Sequence, residues 1–118
     1  MTAAHDPQLL KGVLSPLLLH LLAEQESYGY ELVQRVHAAG LVDVLEGTVY
    51  PALARLEREG RIESRLVPST AGPARKYYRP SPAGYAALEA ATATWLALTE
   101  IVTGVLTRPV PTAPTKGR

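Results

Sequence analysis

The side chains best suited to recognition chemistry gather in the middle of the chain. Arg55, Arg58, Arg61, Arg65, Arg75, Lys76 and Arg79 stand there against Glu57, Glu59 and Glu63, after a more acidic beginning that holds Asp6, Glu24, Glu26, Glu31, Asp43 and Glu46. Guanidinium groups fork onto phosphate or guanine, the hydroxyl of nearby Thr48 can bond to phosphate or to a base edge, and that of Tyr50 can donate to phosphate. The formal net charge over 118 residues is only +1, too little by itself to announce a polyanion binder. A charge cluster alone is also what an ordinary solvated surface looks like, so the arrangement of the elements has to decide.

Catalysis finds less support. His5, His20 and His37 have neither metal-ligand spacing nor a nucleophile beside them. The chain has no cysteine, which removes disulfides, thiolate zinc sites and thiol nucleophiles. No enzyme activity, metal or cofactor is expected. The beginning does not read as a secretory signal, and the apolar stretch Leu17 to Leu22, broken by His20, falls far short of the roughly 20 residues a spanning helix needs. A soluble, cytoplasmic protein is the expectation.

The elements that must position the cations are helical first. Leu9, Leu10, Val13, Leu14, Leu17, Leu18, Leu21 and Leu22 recur in pairs four apart and predict a first helix of about 15 residues, weakened by Gly12 and Pro16. Its start is open, because Ser15 and Pro16 also suit an N-cap and a first helical position. Ser27 is expected to cap a second helix whose apolar side is Tyr28, Leu32, Val33 and Val36, ended by Gly40. A third helix opens at Gly47 or Thr48 and stops at Gly60, with Val49, Ala52, Leu53 and Leu56 inward and Gly47, Thr48, Pro51, Arg55 and Arg58 outward. Pro51 is expected within its first turn.

Arg61 to Val67 alternates as a strand does, and Lys76 to Arg79 is a second strand-forming run. The segment PSTAGPA between them is expected to form a long hairpin tip. Ser81 and Pro82 then open a last helix to about Thr107, along which Leu88, Ala91, Trp95, Leu98, Val102 and Val105 follow heptad spacing. The predicted fold class is mainly α with a small β-hairpin (α+β): a winged helix-turn-helix over residues 1–80, a C-terminal dimerisation helix over 81–107, and a disordered tail over 108–118.

SYGYELVQRV at 27–36, GTVYPALARLEREGRIES at 47–64 and RKYYRPSPAGYAAL at 75–88 together resemble the PadR family of transcriptional regulators, with the block from Gly47 to Ile62 the most specific. The resemblance covers most of the chain from about Leu9 to Val105 and is closest to the subgroup with a single C-terminal helix. It implies a homodimeric repressor that binds an operator in double-stranded DNA, released in many members by a small molecule. Ser81-Pro82 stands where a threonine usually opens the last helix, and the wing tip carries two prolines, which puts tip contacts in more doubt than contacts from its base.

Because the first residues of a recognition helix reach base edges, Thr48, Tyr50, Pro51 and Arg55 are the main DNA-binding candidates, joined by Tyr30 and, at the wing base, Arg75, Lys76 and Tyr78; for Arg58, further along, phosphate contact and plain solvation both stay open. Two alternatives stay open for Tyr50: contact with DNA, or a ring packed on the second helix. Tyr28 is assigned first to locking the second helix on the third, and of Tyr77 and Tyr78 one is expected in the core. Leu10, Leu14, Leu88, Ala91, Trp95, Leu98, Val102 and Val105 are the candidate dimer interface, and Trp95 is also a candidate contact for a hydrophobic or aromatic effector. The rival reading is a winged helix that binds only proteins.

Overall fold

The computed structural model of the chain describes residues 6–112. Asp6 caps a short helix α1 (Pro7–Leu10) by accepting the Gln8 N–H at 2.8 Å, with Pro7 in the first turn. The chain breaks at 11–13 around Gly12 before α2 (Leu14–Glu24), so the single first helix expected from the leucine pattern is two. Pro16 does not break α2, because it falls in the first turn, where an N–H has no intrahelical acceptor to lose. Val13, not Ser15, stands at the N-cap.

Ser27 does not cap the next helix. It pairs with Tyr78 in β1 (Ser27–Tyr28), a two-residue strand on the edge of a sheet, and α3 (Gly29–Ala38) begins directly after it. The Ser27 hydroxyl is fully buried, accepting from Arg35 Nη1 at 2.9 Å and donating to the Gln25 carbonyl at 3.2 Å. The strand partner outcompetes the cap because it satisfies the backbone of two residues at once. Gly40 (φ 116°) ends α3, and Val44 in the following turn is buried, its carbonyl bonded to the His37 ring.

α4 (Glu46–Arg58) starts at Glu46, a residue before the expected opening, and ends at Gly60 (φ 76°). Pro51 therefore lies in its second turn, not its first. The Gly47 carbonyl loses its usual i+4 donor, on an exposed side of the helix where water can replace it.

β2 (Ile62–Ser69) and β3 (Gly72–Pro80) form an antiparallel hairpin, and the sheet order is β1-β3-β2. The long tip expected over PSTAGPA is mostly strand, since pairing continues to Ser69 opposite Gly72 and only Thr70 and Ala71 turn the corner. A register irregularity between Val67 and Ser69 takes up Pro68, which has no N–H for the ladder.

Leu18, Leu19 and Leu22 of α2, Leu32 and Val36 of α3, and Val49, Leu53 and Leu56 of α4 meet in one core, with Ile62 of β2 at its edge. Each such side chain contributes about 1.5–3 kcal/mol through burial. The last helix, α5 (Pro82–Leu106), is capped as expected: the Ser81 hydroxyl accepts the Gly84 N–H at 3.1 Å and donates to the Gly60 carbonyl at 2.6 Å. The Ser81 N–H also donates to the Arg61 carbonyl at 3.0 Å. A Cβ on Gly84 would come within 1.9 Å of that carbonyl, so only glycine lets α5 root this closely on the α4–β2 turn. At 25 residues α5 is about 37 Å long, and it carries the molecule to extents of 70 × 30 × 21 Å. Residues 108–112 have no helix or strand, and the rest of the predicted tail, 113–118, lies outside the described residues.

Candidate nucleic-acid interface

The third predicted helix divides as its pattern requires. On α4, Val49, Ala52, Leu53 and Leu56 are buried while Thr48, Pro51, Arg55 and Arg58 are exposed along the opposite side. α3 crosses behind it and packs on it, giving the helix-turn-helix pair.

At the crossing sits a cluster of tyrosines. The Tyr50 ring lies on Gly29, where a Cβ would be 2.3 Å from Tyr50 Cε1, yet 41% of the residue is exposed. Of the two alternatives for Tyr50, the packing one is met, since its ring lies on the start of α3, while the rest of its surface is left open to solvent. Burial, then the Glu46 carboxylate, raises the Tyr50 pKa above the ordinary tyrosine value and keeps the hydroxyl a neutral donor. Tyr30 is 49% exposed at the start of α3.

Tyr28 does not lie on an apolar stripe of a helix. It sits in β1, where its ring meets Tyr77 edge-on at 5.3 Å and the Arg75 guanidinium stands 4.6 Å from its centre. These contacts fasten it to the wing. Tyr78, on the other face of β3, packs against the core, and Tyr77 is half-buried.

The cations are not equally free. Lys76 donates to Glu57 at 2.9 Å, and Glu57 also accepts from the Ser64 hydroxyl at 2.6 Å. The Ser64 bond, then that from Lys76, holds the Glu57 carboxyl below its ordinary value, and the bond to Glu57 raises Lys76. Arg65 forks onto Glu26 at 2.6 and 2.9 Å, Arg79 pairs with Glu63, Arg61 with Glu59 and Arg35 with Glu24. Arg55, Arg58 and Arg75 have no carboxylate partner among the described residues, so their charge faces solvent uncompensated. Counting charges along the sequence could not separate these groups, because apart from Arg61 with Glu59 in one turn, the pairings join residues from different parts of the chain. Gly29 and Glu57 were likewise not singled out, although a glycine between two tyrosines marks a close approach.

Along α5, Trp95, Leu98, Val102 and Val105 are between 42% and 50% exposed, Ala91 is half-buried and Leu88 packs against the core. Leu10 and Leu14 do not share that free face: spaced four apart in line with core Leu18, they are buried in the chain's own core, and Leu9 and Leu17 are exposed instead. His20 pairs with Glu24 on the surface, His5 lies outside the described residues, and no group of metal ligands occurs among those described. No helix among them is long and apolar enough to cross a membrane.

The crystal structure of a PadR-like transcriptional regulator from Bacillus cereus matches with a TM-score of 0.79 and 37% identity, covering 86% of this chain and 99% of that one. The structure of a transcriptional regulator from Clostridium thermocellum matches with a TM-score of 0.75 and 32% identity over 89% of this chain and all of the other. Transcriptional regulator Rv3488 of Mycobacterium tuberculosis is 44% identical over 73 residues, 60% of this chain and 64% of that protein. These relatives are regulators rather than enzymes. The model of the transcriptional regulator PadR-like family matches residues 18–90, the span from α2 into α5 that holds the helix pair and the wing, and the chain belongs to that family.

Proposed function

We propose that the protein is a cytoplasmic repressor that binds an inverted-repeat operator as a homodimer, with residues 1–80 holding the DNA and the helix from 81 to 107 holding the second copy. The observation that carries this reading is the exposed side of α4, where Thr48, Pro51, Arg55 and Arg58 stand outward and neither arginine is neutralised by a carboxylate among the described residues. A helix fits the major groove, and two symmetric copies read half-sites about one helical turn apart. Tyr30 and Tyr50 donate to the backbone, Arg75 approaches it from the wing base, and Lys76 must exchange Glu57 for a phosphate to do the same.

The test is the salt dependence of binding to duplex DNA enriched from a random pool. Affinity should fall steeply as salt rises, whereas a wing used only for protein contacts would show no such binding. Arg55→Ala should weaken binding and relax preference at one base pair by about 1–3 kcal/mol if it reads guanine, or weaken all sequences alike if it holds phosphate. Unchanged binding would remove Arg55 from the interface.

Release by a hydrophobic or aromatic effector is part of the proposal, with Trp95 as the contact. Its support is a large ring left 49% exposed beside Leu98 on an apolar face. Titration of tryptophan fluorescence with planar aromatic compounds tests this directly, because the chain has one tryptophan. No change across such a set removes the effector from the reading.

A further inference from the structure

The outer side of α4 is one wall of a groove of about 530 Å³, and the other wall comes from α1 and the break that follows it. Thr48, Pro51, Arg55 and Arg58 line it, together with Lys11, the residue just past the end of α1. Asp43 lines it too, leaving three cations against one carboxylate.

Lys11 is exposed and has no carboxylate partner among the described residues. The same holds for Arg55, Arg58, Arg75 and Arg108, whereas Arg35, Arg61, Arg65, Lys76 and Arg79 are all paired. The uncompensated cations are therefore not scattered. Lys11, Arg55 and Arg58 share one groove, Arg75 stands at the wing base over Tyr28, and Arg108 alone lies at the far end of α5. A concave surface holding several uncompensated cations concentrates positive potential and suits an anion.

We infer that Lys11 belongs to the DNA interface: the groove between α1 and α4 takes a phosphodiester of the duplex backbone, with Lys11 closing on it from the α1 side. This rests on the reading of α4 as the DNA-facing helix and extends it to a segment that precedes the family-matched residues 18–90. A lysine on a backbone phosphate acts as a point charge, so it adds affinity without reading sequence. The short α1, capped by Asp6 and anchored through Leu10 in the core, is what holds Lys11 at that height.

The experiment compares wild-type protein, Lys11→Gln, Lys11→Arg and Arg108→Gln on two duplexes, one of selected and one of mixed sequence, over a range of salt. Thermal melts establish that the variants fold, as substitutions at exposed positions should. Lys11→Gln should lower affinity several-fold on both duplexes at low salt. Its plot of log affinity against log salt should be shallower by about 0.9 for each protomer bound. Lys11→Arg should keep the wild-type slope, and so should Arg108→Gln, which removes one charge far from the groove.

An unchanged slope for Lys11→Gln, or an equal change for Arg108→Gln, would overturn the inference while leaving α4 as the reader of DNA. A loss confined to particular base pairs would overturn the phosphate assignment. If the wild-type protein shows no salt-dependent binding to either duplex, the reading of α4 fails and the assignment of Lys11 fails with it.

Discussion

The head and the arm of this molecule are both rich in aliphatic side chains and use them in opposite ways. In the head, Leu18, Leu32, Leu53 and Leu56 are at most 1% exposed, held on all sides by α2, α3 and α4. In the arm, Leu96, Leu98, Ile101, Val102 and Leu106 are between 42% and 76% exposed along a helix that leaves the head after Leu88. An apolar run of that length in water is a standing liability for a lone chain. The contrast teaches that the head covers its apolar side chains with its own elements, whereas the arm leaves them uncovered by the rest of the described chain, the face that the proposed function assigns to a second copy.

The sharpest way to break this comparison is to truncate one leucine in each region. Leu53→Ala should cost about 2–5 kcal/mol in thermal or denaturant unfolding, the range for a cavity in a packed core. Leu98→Ala should leave the intrinsic unfolding of the chain within about 0.5 kcal/mol and act on self-association instead, read as a mass that falls with dilution in sedimentation. If Leu98→Ala proved as damaging to a monomer as Leu53→Ala, the division would be wrong.

Two glycines of α5 sharpen it further. Gly84→Ala forces a methyl into the Arg61 carbonyl and should destabilise by about 1–3 kcal/mol, despite the better helix propensity of alanine. Gly104→Ala meets nothing within 4 Å and should stabilise by about 0.5–1 kcal/mol through that same propensity. Opposite signs on one helix would show where the head's packing ends, and melting temperatures of the two variants are enough to see it.

The smallest effect concerns the wing. The Glu57 carboxyl is held below its ordinary value of 4.5, so its pairing with Ser64 and Lys76 stabilises the fold above that pH and loses its contribution as pH falls through the lowered folded value. Both partners are partly exposed, so Glu57→Gln should cost only about 0.5 kcal/mol at neutral pH. The difference from wild type should vanish in acid. A cost that persisted there would mean that Glu57 acts through packing rather than charge.

What the sequence disclosed was local. Ser81-Pro82 announced a helix start because cap and proline act within one turn, and Gly40 and Gly60 announced stops because they alone take the positive φ that ends α3 and α4. The two sides of α4 were legible because burial follows a fixed angular period. What stayed hidden depended on residues far along the chain. Ser27 reads as a cap until Tyr78 arrives to pair with it, and Lys76 reads as free until Glu57 is seen to hold it. The prolines of the hairpin tip suggest a loop, whereas a single shift in register accommodates Pro68 within the pairing. Leu10 and Leu14 read as apolar positions free for a second copy until Leu32, Val44 and Leu53 are seen to share one core with them.

The root of α5 has a mechanical consequence. Ser81 ties to both Gly60 and Arg61, and Gly84 lies too close to that turn for even a methyl between them, so the arm has no swivel where it joins the head. It behaves as a lever whose fulcrum is the end of α4. Were two copies joined through their arms, as the proposed function has it, whatever wedged the arms apart or drew them together would be delivered as a change in the pitch and separation of the two α4 helices.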